Sequence, residues 1–339
     1  MIIGFTLQRY KKMLEYAKYI SRCLQLARLG EYYVAPNPMV GAVLVYNGER
    51  VNGLTDERII GEGWHKQYGG PHAEVNCFAS VREEDEPLVK ESTLFVSLEP
   101  CSHFGKTPPC ADLIIRKGVK RVVVGMLDPN PQVAGQGIAR LRANGIEVVV
   151  GILENECREL NKRFLCLHEK HRPYVILKWA ETADGFMDYK REMPSEGKLT
   201  ETRPLVISNP LSKRLVHKMR AENMAILIGS NTALLDNPKL KTTHWVGRNP
   251  IRVLLDRRKR VPKESAIFSD DAETIVYSEN TEWPFVLEDL AKRGIHSVLV
   301  EGGAQVLNSI LATGIYDEVH VEKGTMRIGD GVKAPSGKF

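Results

Sequence analysis

The chain has 339 residues, 43% of them hydrophobic and 26% charged, which excludes a disordered, collagenous or coiled-coil protein and leaves room for about two domains. Lys and Arg number 47 against 42 Asp and Glu, a net charge of +5; so mild a surplus makes no nucleic-acid stripe and suits an anionic small substrate. No run approaches the ~18 apolar residues of a membrane span, and the basic N-terminal segment with Arg9, Lys11 and Lys12 lacks an apolar block followed by a cleavage site, so a cytoplasmic protein is expected.

In chain order, the apolar spacing of residues 7–28 predicts a first helix. Residues 39–46 read as a strand that turns at Asn47-Gly48 into a return strand beginning near Arg58. Pro71 marks a helix entrance, so His72 and Glu74 should open a helix. Residues 93–98 read as a buried strand, 110–117 as a helix closed by Gly118, and 121–126 and 146–152 as strands around a helix near 137–143. Such alternation predicts an α/β layer with a mostly parallel sheet. The polar stretch 153–173 reads as a linker between a domain over 7–152 and a second over 174–339. In that second domain residues 174–180, 225–228, 251–256, 274–277, 297–300 and 318–321 read as strands, and 209–221 and 304–312 as helices. The basic run 257–260 reads as a solvated loop.

Six cysteines are too sparse for a disulfide scaffold. Cys23, Cys77, Cys157 and Cys166 fall in helix-like surroundings and read as packing residues. Cys101 and Cys110 differ, because they follow His72-Ala73-Glu74 as a Pro-Cys pair with eight residues before the second thiol. One imidazole and two thiolates suit a zinc ion that keeps a fourth position for water. Glu74, two residues from His72, is placed to move protons, which is the pattern of the zinc deaminases. A structural zinc site would instead need a fourth protein ligand, for which the neighbourhood offers His103 or Cys77. In the second half no GxGxxG follows a strand. Glu301-Gly302-Gly303-Ala304 does stand between a strand and a helix, where glycines can let a phosphate approach backbone donors.

Three stretches, PNPMVG at 36–41, GGPHAEVN at 69–76 and EPCSHFGKTPPCADLII at 99–115, closely resemble the bifunctional riboflavin-biosynthesis deaminase/reductase family. The second half resembles the family's reductase domain in LKWAETADG at 177–185, MRAENMAILIGSNTALLDNPKL at 219–240 and LVEGGAQ at 299–305. The resemblance implies a cytidine-deaminase-like three-layer domain followed by a dihydrofolate-reductase-like domain, zinc and NADPH as cofactors, and a homo-oligomer. It further implies deamination of a diaminopyrimidinone carrying ribose 5-phosphate, then reduction of the ribosyl to a ribityl chain. Carried over by residue, His72, Cys101 and Cys110 would bind zinc and Glu74 would be catalytic. Asn37 would meet the pyrimidine edge, with His103, Lys106, Thr107, Asp128 and Asn130 on the ribose phosphate. Thr232, Asp236, Gly302, Gly303 and Ala304 would contact NADPH, and Arg220, Leu240 and Glu301 the reductase substrate. Lys178 is a further candidate for orienting the sugar, and Arg220 could alternatively pair at the surface with Glu222. Two other functions are weighed: a deaminase whose reductase half is inactive, and a nucleic-acid-editing deaminase. The latter would need a basic, aromatic-lined channel, which a 7% aromatic content opposes.

Overall fold

The computed structural model describes residues 2–51, 54–102, 108–130, 134–194, 202–270 and 272–337; of residues 2–11, 49–51 and 54–56 it describes the backbone. The chain divides into two compact units, Met1–Glu169 and Lys170–Phe339.

The first unit runs α1 (Ile2–Ala27), β1 (Gly41–Val51), β2 (Leu54–Trp64), α2 (Ala73–Ala79), β3 (Ser92–Leu98), α3 (Cys110–Lys117), β4 (Arg121–Met126), α4 (Gln136–Ala143), β5 (Glu147–Val150), α5 (Glu154–Leu160) and α6 (Lys162–Lys170). The sheet has the order β2-β1-β3-β4-β5. It is mixed rather than mostly parallel: β1 pairs antiparallel with both β2 and β3, and only β3-β4 and β4-β5 are parallel. The hairpin is also longer than the Asn47-Gly48 turn signal implied. Asn47 still pairs with Glu57 and Arg50 with Thr55, with a register shift between Asn47 and Arg50. The dipeptide therefore marks an irregularity within the ladder, which continues to Val51 opposite Leu54.

Side chains alternate across the sheet and build two apolar layers. Ala42, Leu44, Val96 and Val124 meet Cys77, Ile114 and Leu141 from α2, α3 and α4. Val43, Val45, Phe95 and Val123 meet Ile20 and Cys23 of α1 together with Cys157 and Leu165 of α5 and α6. Burying each valine, leucine, isoleucine or phenylalanine among them contributes about 1.5–3 kcal/mol. The expected linker at 153–173 is thus largely helical, and its helices complete the third layer of the first unit. Their charged residues face out while Cys157, Leu160, Leu165 and Cys166 are buried; one apolar stripe on a polar segment was the part of the pattern that a polar average hides.

The second unit runs β6 (Tyr174–Glu181), β7 (Phe186–Asp188), α7 (Pro210–Glu222), β8 (Ala225–Gly229), α8 (Ser230–Asp236), β9 (Ile251–Leu255), β10 (Thr274–Tyr277), α9 (Trp283–Lys292), β11 (Ser297–Val300), α10 (Ala304–Thr313), β12 (Glu318–Lys323) and β13 (Val332–Lys333). Its six-stranded sheet, β10-β9-β8-β11-β6-β12, is parallel throughout, and β7 pairs with β13 in a small separate ribbon. The continuous apolar runs of β8 and β11 are buried end to end, as expected of strands covered on both faces. No helix among the described residues is long and apolar enough to cross a membrane.

Candidate functional site

In the first unit, α2 and α3 begin beside each other at the ends of their preceding loops. His72 is the N-cap residue of α2 and Cys110 the first residue of α3. Cys101 lies just past β3 and is tied back to α3, its carbonyl accepting the Ala111 N–H at 3.1 Å and its Sγ the Cys110 N–H at 3.3 Å. His72 Nδ1 is 3.6 Å from Cys101 Sγ and 3.3 Å from Cys110 Sγ. The three ligand atoms all lie within 4.8 Å of one another. Cys101 and Cys110 are thus brought together beside His72 despite the eight residues between them.

Electrostatics favour a thiolate there. Hydrogen bonds from the Cys110 thiol, the His72 ring and the Cys110 amide hold the Cys101 thiol far below its ordinary range against the cost of burial. Cys110 gives its hydrogen to Cys101 and is correspondingly pushed up. Glu74 is 3% exposed, and burial, aided by the negative Cys101, raises its carboxyl to about 7. One nitrogen and two sulfurs converge with a carboxyl next to them but outside the ligand group, and this donor set fits zinc with a position left for water. Cys77 is fully buried in the α2 face of the core and is no part of the ligand group.

Asn37 is joined to this centre through a residue that the sequence did not single out. Its Nδ2 lies 3.1 Å from His65 Nε2, His65 Nδ1 lies 3.0 Å from the Pro71 carbonyl, and the His65 ring stands edge-on to His72 at 5.6 Å. The signal for His65 was available only as a second histidine seven positions before the ligand. Asp128 and Asn130 follow β4, and the Asn130 N–H donates to Asp128 Oδ1 at 2.8 Å. His103, Lys106 and Thr107 lie outside the described residues.

In the second unit a cleft of about 1230 Å³ opens on residues from the C-terminal ends of the parallel strands, where ligands of open α/β sheets gather. Thr232, Asp236, Gly303, Ala304, Arg220 and Glu301 all line it. Two expected residues do not. Leu240 is 4% exposed and packs with Ile226, Ile228 and Leu254 in the core, and Gly302 is buried against β8, where a Cβ would come 2.3 Å from Ile228 Cα. Gly303 has φ +53, and a Cβ on it would approach Thr232 Oγ1 to 2.8 Å. Its bare backbone keeps the space between α8 and α10 open, which fits a bound phosphate group at the start of α10.

Arg220 does not pair with Glu222, which binds Lys218 at 2.9 Å. Its fork closes on Glu301, and its Nη1 donates to the Lys241 carbonyl at 3.2 Å. Burial pushes the Glu301 carboxyl up, but the charge and hydrogen bonds of Arg220, with Lys178 and His217, hold it below its usual range. Lys178 lies 3.8 Å from Glu322 and also lines the cleft. Asp236 is bound by Arg191, which also binds Asp188. The basic run at 257–260 is the exposed loop its composition implied, with Arg257, Arg258 and Lys259 open to solvent and Arg260 half-buried, but it is also placed on the cleft. Arg257, Arg258 and Arg260 line the cleft, and Arg260 Nη2 donates to Ser230 Oγ and Asn231 Oδ1 at 2.8 and 2.6 Å. The run follows β9, whose C-terminal end the cleft occupies, so the parallel sheet directs it there.

Residues 13–126 match the family model of the cytidine and deoxycytidylate deaminase zinc-binding region, and residues 173–338 that of the RibD C-terminal domain. The riboflavin biosynthesis protein RibD of Aquifex aeolicus (strain VF5) is 37% identical over 93% of this chain and 88% of its own length. That of Synechocystis sp. is 38% identical over 94% and 86%. Among solved structures, a diaminohydroxyphosphoribosylaminopyrimidine deaminase/5-amino-6-(5-phosphoribosylamino)uracil reductase from Thermotoga maritima is 39% identical, with a TM-score of 0.80 over 95% of this chain and 90% of that one. Acinetobacter baumannii RibD gives a TM-score of 0.83 at 31% identity over 96% and 92%. With both halves matched in order and along nearly their whole length, the chain belongs to the bifunctional riboflavin-biosynthesis deaminase/reductase family, a zinc-dependent deaminase in its first half and an NADPH-dependent reductase in its second.

Proposed function

We propose that the deaminase centre is built from His72, Cys101 and Cys110 as zinc ligands with Glu74 as the proton carrier. The observation that carries this reading is the convergence of the three ligand atoms within 4.8 Å, with a buried carboxyl beside them. Zinc held there supplies the Lewis acidity that makes water an effective nucleophile at neutral pH. Glu74 takes a proton from the attacking water and hands protons to a ring nitrogen and to the departing amine. A C–O bond forms at the pyrimidine carbon, the C–N bond breaks, and ammonia leaves. A buried carboxyl held beside the ligand group, where burial favours its protonated form, suits both halves of that task. Asn37, oriented through His65, faces the pyrimidine edge. Asp128 and Asn130, with His103, Lys106 and Thr107 of the loop between the thiols, serve the ribose phosphate.

In the second unit NADPH supplies the hydride that reduces the ribosyl to a ribityl chain. Thr232, Gly303 and Ala304 hold the cofactor where α8 and α10 begin. Asp236, fixed by Arg191, shapes that wall. Arg257, Arg258 and Arg260 supply positive charge for the cofactor phosphates, and Arg220, Glu301 and Lys178 form the substrate side. The domain boundary lies at 169/170 in this reading, with α5 and α6 part of the deaminase. The enzyme works in the cytoplasm, a reducing compartment that keeps Cys101 and Cys110 out of a disulfide and free to bind zinc, on a small phosphorylated pyrimidine and not on nucleic acid, and as a homo-oligomer. Incubating the full chain with the diaminopyrimidinone ribose phosphate tests both activities at once. Mass analysis should show an amine exchanged for oxygen without NADPH, and two further hydrogens with it. An unchanged substrate would overturn the deaminase reading, and a deaminated product that never gains hydrogen would leave the second half an inactive relative.

A further inference from the structure

Glu99 leaves the end of β3 two residues before Cys101 and is 5% exposed. Its carboxylate accepts four backbone N–H groups from one downstream segment. Oε2 takes those of Asp128 at 3.2 Å and Gly135 at 2.9 Å, and Oε1 those of Gly137 at 3.0 Å and Ile138 at 3.4 Å. Gly135, the N-cap of α4, has no side chain to offer the first amides of its own helix, so a carboxylate from another element satisfies donors that would otherwise be orphaned.

The same segment is pressed against the metal-ligand loop. A Cβ on Gly137 would lie 2.1 Å from the Pro100 carbonyl, so the start of α4 abuts the backbone between Glu99 and Cys101. One turn later Arg140 donates to the Ser102 carbonyl at 3.4 Å and pairs with Asp112 of α3 at 2.7 Å. The segment after β4 is therefore tied to both sides of Cys101 and to the helix that begins at Cys110. A simple helix cap accounts for the bonds to Gly137 and Ile138. It does not call for the bond to Asp128, which lies well before the helix.

We propose that Glu99 is a positioning residue of the deaminase. Its amide bonds fix the segment carrying Asp128 and Asn130 at a set distance from Cys101, so that the sugar end of the substrate is registered against the reacting ring carbon. The inference rests on reading Asp128 and Asn130 as sugar contacts. Charge-assisted bonds from a rigid scaffold suit such a task, because a misplacement of about 1 Å is enough to cost binding or rate.

The test is Glu99→Gln in the full chain, which keeps the shape but turns an acceptor into a donor facing N–H groups. The expected result is a deaminase KM raised about tenfold with kcat within about threefold, while zinc content and reductase activity are unchanged. An unchanged KM, or loss of zinc, would overturn the proposal. If Glu99→Gln does not give a folded first unit, Glu99→Asp, which keeps the charge on a shorter arm, is read in the same way. Asp128→Ala separates the two layers of inference. A raised KM supports its sugar contact, and combining it with Glu99→Gln should then raise KM by less than the product of the single effects. Fully multiplicative effects would refute action through the segment. An Asp128→Ala enzyme with normal KM would overturn the reading of Asp128 as a sugar contact and the proposal with it, whereas a raised KM there beside a normal KM for Glu99→Gln would overturn the proposal alone.

Discussion

Arg220 and Glu301, 81 positions apart, meet in a two-pronged ion pair of 2.9 and 2.6 Å on the wall of the reductase cleft. Both side chains are largely buried, at 16% and 13% exposure. A pair of this kind does little for net stability but is costly to break on one side only. Arg220→Ala should abolish reduction and destabilise the second unit by about 3 kcal/mol, because Glu301 is left charged and unpaired. Replacing both, as Arg220→Met with Glu301→Leu, should restore much of the stability without the activity. Thermal unfolding alongside NADPH consumption distinguishes the two effects, and an equally unstable double variant would contradict the account.

Glu74→Gln should keep its zinc and lose deamination by at least about a hundredfold, the scale of general acid–base catalysis. Metal analysis and ammonia release are the two measurements. Reduction of separately supplied deaminated product should proceed at the normal rate, and near-normal ammonia release would remove Glu74 from the chemistry.

Cys110→Ser should lose zinc on dialysis and with it deaminase activity, since one of three converging ligand atoms is gone. A chelator should do the same to the unaltered chain. Reductase activity should survive both treatments, because among the described residues no metal-ligand group is found in the second unit.

Arg258→Ala should weaken NADPH binding about tenfold or more by direct titration, and the salt dependence of binding should become shallower. If the arginine run serves the phosphate that distinguishes NADPH from NADH, NADH affinity changes little. Equal loss for both cofactors would place the run on the shared diphosphate instead.

Asp317 accepts hydrogen bonds from Arg172, Lys170 and the Val175 amide. Burial raises its carboxyl, yet these partners prevail and hold it below the usual value, which is about 3.9. A carboxyl depressed in the folded state adds stability that is fully present above the unfolded value and is lost as pH falls through the folded one. Asp317→Asn should therefore cost about 2 kcal/mol at neutral pH, and the gap between variant and parent should close in acid below about pH 4. Denaturant titrations at pH 7 and pH 3 measure it, and a gap independent of pH would show that the charge is not responsible.

Features that one short segment settles were legible in the sequence. β10 and β11 have the bounds that their apolar runs implied, and α3 runs from Cys110 to Lys117. His72, Glu74, Cys101 and Cys110 could be named as candidates from residue type, and three of them sit at or beside helix starts while the fourth lies three residues past a buried strand. The helices α8 and α9 were not legible in the same way: seven residues carry too little periodicity for α8, while for α9 the one local signal was Pro284 in its first turn, a favourable helix entrance.

The sequence by itself determined which chemical groups were available, one imidazole, two thiols and a carboxyl, because that is a matter of residue type, while their convergence needed the fold. The tertiary structure alone decided the partnerships: Arg220 with Glu301 rather than Glu222, Leu240 in the core rather than the cleft, the exposed Arg257 and Arg258 and the half-buried Arg260 on the rim of the cleft, and α5 and α6 as a layer rather than a linker. Each depends on which distant segment fills the space beside a side chain. Packing settles that over the whole chain, and no local pattern of polar and apolar residues records it.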